Sequence, residues 1–145
     1  MRQMFSTDNY IGIKYKKNGR DRCGLDCYGL GILIYKDYFK IDLQEVSFVL
    51  KESVSPSRIH KEFNDKVFNW VRVEKPDKLD LVAYDTVHIK EKKIVSHVAF
   101  YIGSGKIIHV NESIGSVVVQ KMETYGHEVI GIYRHEKNIK DSLHI

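Results

Sequence analysis

From Asp26 onward the apolar positions fall at helical spacing. Leu30, Leu33, Ile34 and Tyr38 form one core-facing stripe, and Asp26 is a good N-cap, which predicts a helix from 26 to about 39. Gly29 and Gly31 leave room on that helix for another part of the chain to approach closely. A second stripe, Ile59, Phe63, Val67 and Trp70/Val71, has Arg58, Lys61, Glu62 and Asp65 on its other side; it predicts an amphipathic helix capped by Ser57 and ended by Pro76. From Leu79 the period changes to short β-branched and aromatic runs: 79–84, 96–102, 106–110, 116–120 and 128–133. These predict five antiparallel strands, with Gly103-Ser104-Gly105 turning the second into the third. Helices first and a sheet afterwards is the α+β class.

The helix start carries the first candidate chemistry. Cys27 would sit in the first turn, where unpaired amides and the positive end of the helix dipole favour a thiolate. A small buried structural cysteine is the alternative, since free cysteines are often core residues. The hairpin strands carry one histidine each, His97 and His109, and 109 − 97 = 12 residues places them symmetrically about the turn. They are therefore expected to pair across the hairpin, or nearly so, on one face. A helix bearing Cys27 packed on that face would bring together a nucleophile, a base and a group that orients the base. His60, His88, His127, His135 and His144 show no such pairing and read as surface residues.

Composition bounds this picture more than it adds to it. The 145 residues, 43% hydrophobic and 29% charged, suit one domain, 1–145, with a single core. A net charge of +4 is spread over dispersed lysines without aromatic interleaving, so nucleic acid is not an expected partner, whereas a polyanionic surface such as a cell wall is compatible. Two cysteines, Cys23 and Cys27, cannot build a multi-bridge framework. The apolar run Cys27 to Tyr35 is nine residues, against about 20 for a membrane span. The first residues have no apolar signal core, so the chain is expected to be made in the cytoplasm. Cys27, His97 and His109 are also metal-compatible ligand types, but no Cys-x-x-Cys pair accompanies them, and neither a metal nor another cofactor is expected.

Taken in order, Tyr15, Asn18-Gly19, Asp26-Cys27-Tyr28-Gly29-Leu30, Leu79-Asp80-Leu81-Val82, His97-Val98-Ala99-Phe100-Tyr101-Ile102-Gly103-Ser104-Gly105 and Ile108-His109-Val110 resemble the motifs of the NlpC-type cell-wall cysteine peptidases. These are papain-like peptidoglycan endopeptidases. The resemblance runs from about Tyr10 to Tyr133. It implies a papain-like α+β fold whose nucleophile helix packs on the antiparallel sheet. It also implies Cys27 as nucleophile, His97 as general base and His109 as the residue that fixes the imidazole. Tyr15 matches the tyrosine that assists the Cys27 amide at the oxyanion, and Asp26 and Tyr28 flank the nucleophile on the substrate side. A thiolate–imidazolium pair is the expected resting state.

The resemblance further implies peptidoglycan stem peptides as substrate, cut between D-glutamate and the diamino acid. Tyr28 stands where the wall hydrolases usually have serine, Leu79 where glycine is usual and Lys14 where proline is frequent. An aromatic after the cysteine is closer to the branch found in phage tails, so tail proteins are expected partners and a virion-associated location is expected. A catalytically silent tail-tip assembly protein of the same fold, or an amidase or acyl transferase using the same triad, are the competing functions.

Overall fold

Asp26 begins the element on which the fold turns. In the computed structural model, which describes residues 5–45, 66–67, 69–90, 93 and 95–138, its extended backbone (φ −91°, ψ −177°) precedes helix α1, Cys27–Ile34. The Asp26 carboxylate accepts a hydrogen bond from the Gly29 amide at 2.7 Å, satisfying one of the four amides that a helix start leaves without a partner. A π-helical turn, Tyr35–Phe39, continues α1 and stops at Lys40, whose left-handed backbone (φ 57°) cannot propagate a helix. The helix therefore ends where the sequence places it.

Before α1 lie a 3-10 turn, Thr7–Asn9, and a small antiparallel pair, β1 (Arg20–Asp21) and β2 (Gly24–Leu25). Beyond it come β3 (Lys66–Val67), β4 (Trp70–Val73), β5 (Leu81–Asp85), β6 (His97–Gly103), β7 (Lys106–His109), β8 (Val118–Lys121), a short helix α2 (Met122–Tyr125) and β9 (Glu128–His135). Strands β3 to β9 form one sheet of seven in the order β3-β4-β9-β5-β6-β7-β8, antiparallel throughout. All five strands expected from sequence are present in it. The additional β3 and β4 correct the second expected helix at its C-terminal end: residues 66–67 and 70–73 are strand. Trp70 pairs with His135 and is fully buried, its indole donating to the Tyr28 hydroxyl at 3.3 Å, so tertiary packing overrides the helical spacing. Ser57, Ile59 and Phe63, also assigned to that helix, lie outside the described residues.

The sheet has two unequal faces. Leu81, Ala83, Val98, Phe100, Ile108 and Tyr133 pack with α1 residues Leu30 and Ile34 in the main core. Gly31 makes that approach possible, because a Cβ there would meet Phe100 Cζ at 2.1 Å. Gly29 does the same for backbone, with the Gly19 carbonyl 2.0 Å from where its Cβ would be. On the other face Val82, Tyr84, Ala99 and Ile107 are covered by Tyr101, Met122 and Tyr125. Asp80, whose side chain is 1% exposed, is held by Arg134 of β9 through Nε–Oδ1 (3.0 Å) and Nη2–Oδ2 (2.8 Å). That fork ties the start of β5 to β9. Burial raises the Asp80 pKa while the guanidinium draws it down.

Candidate active site

The residue that follows the cap is Cys27, at the first helical position, where its own amide has no intrahelical acceptor. Its thiol is buried, at 6% exposure, and the backbone amides of Val98 and Tyr28 donate toward the sulfur. Helix α1 thus delivers the sulfur to the first residues of β6. Cys23 is exposed and both cysteines are free thiols.

His97 opens β6, and its Nε2 lies 2.9 Å from His109 Nδ1. The two strands pair as Phe100↔Ile108 and Tyr101↔Ile107, which continued along the ladder places Ala99 opposite His109. The histidines are therefore diagonal neighbours on one face, two residues off direct opposition, with ring centroids 5.2 Å apart. That face is the one bearing Tyr84 and Ala99, whereas α1 packs on the Val98 and Phe100 face. The expected packing of the cysteine helix on the histidine face is corrected accordingly. The site forms at the end of β6, where the sulfur reaches the His97–Val98 step from the α1 side.

Around the histidines stands a set of residues that the sequence reading did not include. His109 Nε2 is 2.8 Å from Gln120 Oε1 on β8. The Tyr125 ring packs edge-on against His109 at 4.6 Å, 5.7 Å from His97 and 5.0 Å from Tyr84, and Asn111 donates to its hydroxyl. His127 packs on the other side of Tyr125 at 4.7 Å and stacks on His88, with Nε2 of His88 2.9 Å from Nδ1 of His127. These two histidines lie at the surface as expected, but as a pair: His88 is exposed and His127 half-buried. His135 is also corrected: it is buried between Tyr35 and Trp70. His60 and His144 lie outside the described residues.

The remaining expected site residues separate. Tyr15 is held by its backbone, which bridges Leu25 and whose amide donates to the Gly115 carbonyl at 2.9 Å. Burial, then the charges of Glu112, Asp26 and Cys27, raise its phenol pKa. Asp26 is a structural neighbour of Cys27, since Oδ1 is engaged by the Gly29 amide and by Arg20 Nη1 at 2.6 Å, while Oδ2 is buried without a hydrogen-bond partner. Tyr28 turns into the core, fully buried beneath Trp70, with burial pushing its phenol up to about 12. It does not line the cleft.

Electrostatics at the site runs against the expected thiolate–imidazolium pair. Burial, reinforced by the Asp26 carboxylate, pushes the Cys27 thiol up to about 12, against the opposing pull of the Val98 and Tyr28 amides and Arg20. Burial, with repulsion from His109 and His127, lowers His97 to about 3, and burial also lowers His109. Burial thus works against the charged form of each group. The helix-end contribution is present but desolvation outweighs it. Among the described residues, no group of three or more His, Cys, Asp or Glu is arranged to hold a metal ion, and no helix is long and apolar enough to cross a membrane.

The sequence profile of the NlpC/P60 family matches residues 12–134, a span that includes Tyr15, Cys27 and both histidines of the relay. The chain belongs to the NlpC/P60 family. Among solved structures, it is similar to an NlpC/P60 family protein from Bacillus cereus ATCC 10987 at 28% identity and TM-score 0.62, over 88% of this chain and 37% of that one. It shares its fold with NlpC1 from Trichomonas vaginalis (20% identity, TM-score 0.64, 92% of this chain and 46% of that one). The NlpC/p60 domain of the peptidoglycan hydrolase SagA also has this fold (20% identity, TM-score 0.55, 87% and 91%). The chain thus spans less than half of the Bacillus and Trichomonas proteins. No curated protein sequence matches it. None of these three structures is described as a phage tail protein.

Proposed function

We propose that this NlpC/P60 chain is a cysteine peptidase that hydrolyses amide bonds in peptidoglycan stem peptides, the D-glutamyl to diamino-acid bond being the expected target. It would act at the bacterial wall. The observation that carries the reading is the hydrogen-bonded His97–His109 pair at the strand end where α1 delivers Cys27. The SagA domain, which shares the fold and is named as part of a peptidoglycan hydrolase, supports the substrate class.

On this reading each group has a step. His97 spends Nε2 on His109, so Nδ1 is the nitrogen left to take the Cys27 proton as the sulfur attacks the scissile carbonyl carbon. Because burial works against both charged forms, proton transfer and attack are coupled on this reading. The tetrahedral oxyanion is held by the Cys27 amide and the Tyr15 hydroxyl. Collapse expels the amine, which takes the proton back from His97, and leaves a thioester on Cys27. Water, deprotonated by His97, then attacks the thioester carbonyl; the acid product leaves and the thiol recovers its proton.

A second reading, a silent scaffold of the same fold, draws on one observation: the thiol is buried and burial holds it protonated. Mass spectrometry of muropeptides after digestion of purified peptidoglycan decides between them. New fragments cut within the stem peptide, absent with Cys27→Ala and present with Cys23→Ala, are the expected result. An unchanged muropeptide profile would establish the scaffold.

A further inference from the structure

The hydrogen-bonded chain that starts at His97 does not stop at His109. Ile107 pairs with Gln120 and His109 with Val118, so Gln120 stands diagonally from His109, on the same face and with the same two-residue offset by which His109 stands from His97. Three adjacent strands, β6, β7 and β8, thus contribute one polar side chain each to a single line: His97 Nε2 to His109 Nδ1 at 2.9 Å, and His109 Nε2 to Gln120 Oε1 at 2.8 Å.

The direction of protons along that line follows from one fixed group. An amide oxygen only accepts, so His109 must carry its proton on Nε2. Being neutral, His109 then has a bare lone pair on Nδ1, which obliges His97 to present Nε2–H to it. His97, also neutral, is left with a bare lone pair on Nδ1. We infer that Gln120 is a positioning residue that sets the tautomers of both histidines, so that the one unspent basic lone pair of the chain stands on His97 Nδ1. A reversed amide would have the opposite effect. It would donate to His109 Nε2, move the His109 proton to Nδ1, and put the His97 proton on Nδ1, where it could accept nothing from a thiol. Tyr125 seals the arrangement by covering both rings, which keeps water from substituting for Gln120 at His109, a residue with 0% exposure.

The use of that lone pair rests on the peptidase reading; the tautomers themselves do not. The test therefore reads them directly. In the full chain labelled with ¹⁵N-histidine at neutral pH, two-bond ¹⁵N–¹H spectra should show the Nε2–H pattern for both His97 and His109, assigned through His97→Gln and His109→Asn. Gln120→Leu leaves a buried Nε2–H without an acceptor, which is costly, so His109 should shift toward the Nδ1–H form, where its proton is bonded to His97. Gln120→Glu keeps an acceptor and should restore the wild-type pattern. Peptidoglycan hydrolysis should follow the spectra, with kcat falling about tenfold or more in Gln120→Leu and recovering in Gln120→Glu. Nδ1–H signals in the wild-type chain, or unchanged His109 signals in folded Gln120→Leu, would overturn the inference. A wild-type chain that shows the expected tautomers and cuts no peptidoglycan would instead remove the peptidase reading and leave the tautomer assignment standing.

Discussion

Replacing Gly31 by alanine sets two effects of opposite sign against each other. In an exposed helix interior the change gains about 1 kcal/mol, because alanine loses less backbone freedom on folding. Here the new Cβ would sit 2.1, 2.7 and 2.9 Å from three ring carbons of Phe100, a fully buried residue. Carbon atoms prefer roughly 3.5–4.0 Å, so α1 and β6 must separate by about 1.5 Å at this point or the ring must leave its rotamer. Overpacking of this kind costs about 1–3 kcal/mol, and a gap this large belongs at the upper end, which leaves a net loss of about 2 kcal/mol. For a chain of this length that lowers Tm by roughly 4–8 °C, readable by calorimetry. The functional consequence is larger. Since α1 carries Cys27 at one end and rests on β6 through Gly31, a shift on the order of 1 Å moves the sulfur relative to His97, and muropeptide release should fall by up to about 10²-fold. Adding Phe100→Leu removes ring atoms from the clash and should recover part of both losses, a coupling that a double-mutant cycle isolates. A raised Tm in Gly31→Ala would refute the close approach and the reasoning built on it.

Cys23 should be alkylated by limiting iodoacetamide at pH 6 well before Cys27, whose rate should climb only as pH rises far above the usual thiol range; peptide mapping that finds Cys27 modified first would restore the thiolate–imidazolium pair. Acid should destabilise the fold through its buried histidines: the pKa of His97 is lowered to about 3 and those of His109 and His135 are also lowered, so the unfolded chain binds protons first and stability is lost as pH falls from about 6.5 toward 3. His97→Gln should flatten that slope in Tm measured against pH, and an unchanged slope would place the acid sensitivity elsewhere. Tyr15→Phe should lower kcat by about 10²-fold with Tm unmoved, whereas a shift mainly in Tm would make the phenol a packing group. His109→Asn should retain more activity than His109→Ala, because a polar partner for His97 Nε2 remains; the reverse order in steady-state rates would remove the orienting role.

How much of this architecture the sequence carries depends on how local the deciding interaction is. The start of α1 was legible because its determinants lie within a few residues: an acceptor at Asp26, its donor at Gly29, and an apolar stripe behind them. The five strands from β5 onward were legible for the same reason, as short β-branched runs between turns. The second expected helix failed where a long-range contact decided the outcome. Trp70 and Val71 fit a helical stripe with Phe63 and Val67, yet the backbone at 70–73 is claimed by pairing with β9, some sixty residues on. Periodicity reports which side of an element is apolar and says nothing about a strand partner that distant.

At the site, the meeting of the two histidines was legible and their environment was not. Cys27, His97 and His109 were found from a helix start and a symmetric hairpin, and the structure places the two histidines in one hydrogen bond. Gln120 escaped because β7 and β8 are joined through residues 110–117 and not by a two-residue hairpin turn that would fix the register, so its diagonal relation to His109 appears only once the ladder is known. Tyr125 escaped because it reaches the histidines from a four-residue helix after β8. The burial around these groups was not legible for a related reason. A helix start and a neighbouring imidazole, both readable locally, argue for a thiolate; the burial of Cys27 beneath the β6 backbone, and of His97 beneath Tyr125, is a property of the assembled layers, and it acts in the opposite direction. The same layers that bury the thiol also bury His97 and His109. On the peptidase reading, burial disfavours the Cys27 thiolate until a carbonyl is close enough to accept the sulfur, so reactivity toward small alkylating agents and toward substrate should diverge.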